Sequence, residues 1–136
     1  SITDTILYKR LEHVISENHR VLQAAESLKK HDMQTFGRLM IESHLSLKDN
    51  YEVTGDELDL LFEEARKVEG CMGTRMTGAG FGGCTVSLVK KEAVDAFQQT
   101  VSKNYTAQTG LVPEFYLCQV GEGARELSGE VDLWRF

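Results

Sequence analysis

Residues Gly70 to Val89 read GCMGTRMTGAGFGGCTVSLV, with five glycines in the eleven positions from Gly73 to Gly83, directly before an alternating apolar strand. Gly78, Gly80, Gly82 and Gly83 can take positive φ values closed to most side chains, so successive backbone N–H groups can turn toward one point as an anion-binding concavity. The spacing is neither GxGxxG after a strand nor GxxxxGK[ST], because no Lys follows the glycines, and both dinucleotide and Walker-type readings are therefore poor. On the residues alone two readings stand: a ligand loop whose natural guest is phosphate, or a glycine-rich bulge or tight inter-strand connection.

Working outward, Cys84, Val86 and Leu88 alternate with Thr85, Ser87 and Val89, which predicts a strand with one apolar and one mixed face. A short strand around Met72 to Met76 is expected before the loop. Downstream, Ala93, Val94, Ala96, Phe97 and Val101 define a helix, Gly110 marks a turn, and Val112 to Val120 reads as a last strand with Pro113 at its start or edge. Upstream, Thr54 and Glu57 stand in capping-box relation before a helix carrying Leu58, Leu61, Phe62, Ala65 and Val68, with Gly70 placed to end it. Two more helices precede it. Leu7, Leu11, Val14, Ile15, Leu22, Ala25 and Leu28 mark an amphipathic helix from Asp4 to Leu28. Asp32 caps a second helix, with Met33, Phe36, Leu39, Met40 and Leu47 on one face and its end near Asp49-Asn50. The class is α+β: a small antiparallel sheet covered by helices.

The chain has 136 residues, 41% of them hydrophobic, enough for one domain that buries roughly two-thirds of its unfolded surface. A net charge of −6, with no cluster of Lys and Arg, argues against nucleic acid and anionic membranes as partners. No apolar run reaches the length of a membrane span and no signal peptide opens the sequence, so the expected compartment is the cytoplasm. Cys71, Cys84 and Cys118 are odd in number and widely spaced, which suits reduced, buried thiols better than disulfides or a zinc site. Ser128 to Phe136 reads as a separate, loose tail that is expected to dock on the body through Leu133, Trp134 and Phe136, with partner binding or disorder as the alternatives.

Further along, the strings GTRMTGAGFGGCTVSLV (Gly73 to Val89), ESHLSLKDNYEVTGDELDLL (Glu42 to Leu61), HVISENHRVLQA (His13 to Ala24) and EFYLCQVGEGAREL (Glu114 to Leu127) closely resemble the C-terminal domain of galactokinases. These belong to the superfamily of galacto-, homoserine, mevalonate and phosphomevalonate kinases. The resemblance covers residues 1–127 and leaves 128–136 without a counterpart. It implies a ferredoxin-like C-terminal domain and ATP-dependent phosphorylation of galactose to galactose 1-phosphate, with ATP and Mg2+ as cofactors of the full-length parent. Thr77, Gly78, Ala79, Gly80, Phe81, Gly82 and Gly83 would line the cleft beside phosphates and sugar, and Arg75 is a second-rank candidate that either reaches a phosphate or braces the loop against an acidic partner. Ala79 replaces a glycine found in another variant of the motif, a change a methyl group makes tolerable.

The resemblance places the sugar-recognition signature and the catalytic aspartate and arginine in a missing N-terminal domain. The isolated chain is therefore expected to be inactive, with no catalytic and no metal-binding residue of its own. A kinase for another sugar or sugar amine, a non-catalytic sugar and nucleotide sensor, and an independent small-ligand module are the alternatives. Self-association through the vacant domain interface is an expectation, as is a loop mobile without ligand, since glycines impose little order by themselves. His44 could orient a cleft residue through a ring N–H but reads first as a structural helix residue, Cys84 as a packed thiol, and Asp49, Glu52, Asp56 and Glu57 as capping and solvated groups.

Overall fold

In the computed structural model, which describes residues 4–121, the side chain of Asp4 accepts from the N–H of Ile6 at 2.8 Å and caps α1 (Thr5–Lys29). Asp32 likewise accepts from Thr35 at 3.0 Å and opens α2 (Met33–Ser46). Carboxylates at these positions satisfy N–H groups that the first helical turn leaves without partners. A wider π-helical segment, Leu47–Tyr51, continues α2, and Glu52 then ends it in the left-handed region at φ 59°. α3 (Asp56–Lys67), β1 (Cys71–Thr77), β2 (Cys84–Val89), a 3-10 turn at Lys91–Ala93 and α4 (Val94–Thr109) follow.

β1 and β2 form an antiparallel hairpin pairing Thr77 with Cys84, Arg75 with Val86 and Cys71 with Val89, with an irregularity between Cys71 and Gly73. α2 and α3 lie on β1, α3 packs on α4, and α1 reaches the body through α2 and the π-helical segment. Leu47, Leu58 and Met76 make one core cluster, joined by Val53. Ala65, Phe97 and Val101 make a second, closed by Phe115, whose ring meets Phe97 edge-on at 6.5 Å.

Four expectations are corrected. The apolar stripe of α1 faces outward: Leu7, Ile15 and Leu22 are 50%, 68% and 70% exposed, whereas the inward line runs through His13, Ser16, Glu17, Arg20, Ala24 and Ser27. His13 and Glu17 meet α2 through hydrogen bonds to Ser46 and Ser43, so helical periodicity located the helix and mistook its inner side. The Thr54–Glu57 capping box is absent. Thr54 is buried and Gly55, at φ 111°, takes the N-cap without a side-chain hydrogen bond. On β2 the exposed residues are Cys84 and Val86, with Thr85, Ser87, Leu88 and Val89 half-buried, so of the expected apolar face only Leu88 turns inward. Residues 111–121 form no strand, because a strand needs a ladder partner and among the described residues none is offered to them. The end of the Glu114 to Leu127 string and the tail with Leu133, Trp134 and Phe136 lie outside the described residues.

The sheet meets α2 through two glycines. A Cβ on Gly37 would come within 2.0 Å of the Met72 carbonyl oxygen, and one on Gly73 within 2.5 Å of Gly37. Gly37→Ala is therefore expected to destabilise the chain by about 1–3 kcal/mol through overpacking, against the gain of about 1 kcal/mol that alanine brings at an open helical site. Urea denaturation decides the sign.

Candidate functional site

The glycine loop leaves β1 at Thr77 and enters β2 at Cys84. Gly78, Gly80, Phe81, Gly82 and Gly83 all have positive φ, at 85°, 86°, 58°, 109° and 105°. This is the backbone the sequence pattern called for, with Phe81 the one side chain held in a conformation that L residues avoid. Thr77, Gly78, Ala79 and Gly83 are exposed, and the Phe81 ring is 78% exposed.

Two contacts tether the loop to the segment after α2. The Phe81 N–H donates to the Val53 carbonyl at 2.8 Å, and a Cβ on Gly80 would lie 1.9 Å from the same oxygen. Only glycine fits there. Gly78, Gly82 and Gly83 instead face open space, with nothing within 4 Å of where a Cβ would stand. Among the described residues, the N–H groups of Gly78, Ala79, Gly80, Gly82 and Gly83 have no protein acceptor. Exposed amide donors on such a backbone can receive an oxyanion. The loop thus has more order than its glycines alone would give it.

Beneath the loop, the N–H of Met76 donates to Nδ1 of His44 at 3.0 Å, and Nε2 of His44 stands 3.1 Å from Oδ1 of Asp59. The ring has no solvent exposure and stacks on Phe62 at 3.9 Å. Since Nδ1 accepts, the proton sits on Nε2, which donates a hydrogen bond to the Asp59 carboxylate. Burial depresses the pKa of His44, outweighing the opposite pull of Asp59. A depressed histidine contributes stability in full above the ordinary value of 6.5, and loses it as pH falls from there toward the folded value. His44 is fully buried with both ring nitrogens hydrogen-bonded, and its place at the loop's root was not legible. The HLSL and ELDL strings held both partners without showing that α2 and α3 bring them together.

Arg75 points away from the loop. Its Nη1 lies 3.6 Å from Oε1 of Glu17 and its Nε donates to the Met76 carbonyl at 3.1 Å. Glu17 also accepts from Ser43 and Arg20. Burial pushes the Glu17 pKa up, but these donors outweigh it and the net shift is downward. Arg75 borders a largely apolar cleft of about 250 Å3 with Val21, Phe36, Met40 and Val86, a cleft that no residue from Thr77 to Gly83 lines. The geometry is that of a brace.

Of the acidic residues, Glu52 pairs with Arg10 at 2.7 Å, and Asp56 and Glu57 fill the first turn of α3. Among the described residues no three His, Cys, Asp or Glu side chains converge as a metal site. Cys84 and Cys118 are exposed, correcting the expectation of buried, packed thiols. Cys71 is half-buried, and burial raises its pKa. No described helix is long and apolar enough to cross a membrane.

A glycine loop with free amides, rooted between a β-hairpin and the helices that cover it, marks a candidate anion site in an α+β domain. The family model "GHMP kinases C terminal" matches residues 24–107, and the chain belongs to that family. The chain is 52% identical over 128 residues to a galactokinase of Halalkalibacterium halodurans, covering 94% of the chain and 32% of that protein. It is 54% identical over 122 residues to a galactokinase of Bacillus subtilis, covering 90% of the chain and 31% of that protein. Among solved structures, Lactococcus lactis galactokinase complexed with galactose superposes with a TM-score of 0.87 at 45% identity, covering 93% of this chain and 32% of that one. The mevalonate kinase of L. major in complex with R-mevalonate superposes with a TM-score of 0.57 at 29% identity, over 62% of this chain and 26% of that one. The chain spans about a third of the length of the curated relatives it matches.

Gly80 and Gly82 separate contact from backbone strain. Alanine at Gly82 should cost about 1–3 kcal/mol through its φ alone. At Gly80 it should cost about 1–3 kcal/mol more, by colliding with the Val53 carbonyl. Denaturant midpoints of the two variants measure the difference, and equal losses would contradict the tether.

Proposed function

We propose that this chain is the C-terminal part of a galactokinase and that its loop, Thr77 to Gly83, contributes to ATP-dependent phosphorylation of galactose to galactose 1-phosphate. The carrying observation is the set of five amide donors without protein acceptors, four of them on glycines at positive φ. In phosphoryl transfer the charge spreads over the equatorial oxygens, and preorganised N–H groups stabilise it without moving during the reaction.

The open space at Gly78, Gly82 and Gly83 fits a phosphate approaching the backbone. Thr77 and Ala79 border the same opening. The Phe81 ring, exposed on a backbone at positive φ that the Val53 carbonyl holds, is suited to packing against substrate or the facing domain. Mg2+ would neutralise phosphate charge, but Thr77 to Gly83 hold no carboxylate, so the phosphates and the rest of the parent would hold the metal. Arg75 acts as a brace through Glu17 rather than as a phosphate ligand.

The groups that move the phosphoryl belong to the portion of the parent beyond this chain, and the isolated chain is inactive. The outward stripe of α1, with Ile6, Tyr8, Ile15, Val21 and Leu22 exposed, is where apolar surface remains for that portion to cover, and it promotes self-association when nothing does. Cytoplasmic residence follows from the same role.

Titration calorimetry of the chain with Mg-ATP, with and without galactose, is expected to give no saturable binding. Joined to the N-terminal part of a galactokinase relative, the chain is expected to phosphorylate galactose in a coupled assay. One-to-one nucleotide binding by the chain alone would favour an independent ligand module, and phosphorylation of a different sugar or sugar amine would move the assignment to that substrate. Sedimentation of the isolated chain is expected to show concentration-dependent association that Ile15→Glu and Leu22→Glu together abolish. A strict monomer before substitution would contradict a vacant interface on α1.

A further inference from the structure

His44 joins three elements at one buried point. Met76, whose N–H it accepts, is the last buried residue of β1, and Thr77 starts the exposed loop one residue later. Asp59, its other partner, stands in the first turn of α3, where Lys48 of the π-helical segment also reaches it at 3.5 Å. Phe62 closes one face of the ring. The titratable and charged groups around the imidazole are Asp59 from α3, Lys48 from the π-helical segment and Arg75 from β1.

Only one protonation state serves all these contacts. A neutral ring with its proton on Nε2 donates to Asp59 and accepts from Met76. A doubly protonated ring has no lone pair for the Met76 N–H, which would then be buried without a partner. The second tether, Val53 to Phe81, hangs from the same α2 extension. Both ends of the loop's support therefore trace to the segment from His44 to Val53.

We propose that His44 is a positioning residue for the glycine loop: its neutral ring couples Asp59 to the backbone of Met76 and aims the loop's free amides, and uptake of a second proton releases them. The consequence for phosphate binding rests on the function proposed above, whereas the relay itself does not.

The relay is tested on the chain by 15N NMR with amide hydrogen exchange. At pH 7.5 long-range imidazole correlations are expected to show His44 as the Nε2–H tautomer. On lowering the pH below 6.5, the Met76 and Phe81 amides, corrected for intrinsic rate, are expected to exchange about three- to tenfold faster. The resonances of Gly78 to Gly83 should shift along the same curve, while α4 amides hold their protection. His13 titrates in the same direction but is bonded to Ser46, so the residue-specific readout at Met76 separates the two.

His44→Asn, which keeps an acceptor near the Nδ1 position, is expected to preserve Met76 protection better than His44→Gln, which keeps a donor toward Asp59. A Nδ1–H tautomer, a pH-independent Met76 amide, or an equal loss of protection across α4 and Met76 would overturn the proposal, and the wild-type titration gives that answer even where a variant fails to fold. Intact relay signals in a parent that phosphorylates no sugar would refute the function and leave the relay standing. A parent active on galactose whose Met76 amide ignores His44 would do the reverse.

Discussion

The hydrogen bond from the Met76 N–H to a fully buried imidazole is the constraint on which the site depends. Only the neutral His44 ring can make it, and the other nitrogen of that ring then donates to Asp59 and ties the start of α3 to the end of β1. A strand end held this way gives the loop a defined point of departure. A buried polar group in a stacked aromatic setting is costly unless each of its hydrogen-bonding atoms is used, and here each is. Among the described residues, no buried side-chain nitrogen or oxygen lacks a partner.

The loop then combines tight and open positions. Gly80 is glycine because the Val53 carbonyl occupies the place of a side chain, whereas Gly78, Gly82 and Gly83 are glycines beside open space. The first kind of glycine fixes the loop to the scaffold, and the second kind leaves amide donors reachable. A loop made only of the second kind would be ordered mainly by its ligand. One made only of the first would be a structural turn. The mixture suits a preorganised anion site placed on a rigid support.

Elements marked by local chemistry were legible in the sequence. Asp4 and Asp32 sit at helix starts, Gly110 ends α4 at φ 73°, and the glycine spacing correctly implied positive φ through the loop. What failed depended on which neighbour was present. Apolar periodicity in α1 is real, but the residues that meet α2 are His13, Glu17 and Arg20, whose hydrogen bonds to Ser46, Ser43 and one another substitute for apolar packing. The Val112 to Val120 pattern has strand character without a ladder to join. Thr54 has capping chemistry but lies buried, while the chain passes from the Val53 tether through Gly55 into α3. The His44–Asp59 pair spans fifteen residues and two helices, a distance at which spacing alone carries no signal.

Family membership follows from the match over residues 24–107 and from relatives about half identical along nearly the whole chain. The geometry adds a reason for the glycine loop to sit where it does in this chain. The most direct test is a crystal structure of the full-length parent with galactose and a non-hydrolysable ATP analogue. The account predicts nucleotide phosphate oxygens about 3 Å from amide nitrogens between Gly78 and Gly83, with the Met76–His44 contact intact. Phosphates bound elsewhere, with those amides still turned to water, would contradict it.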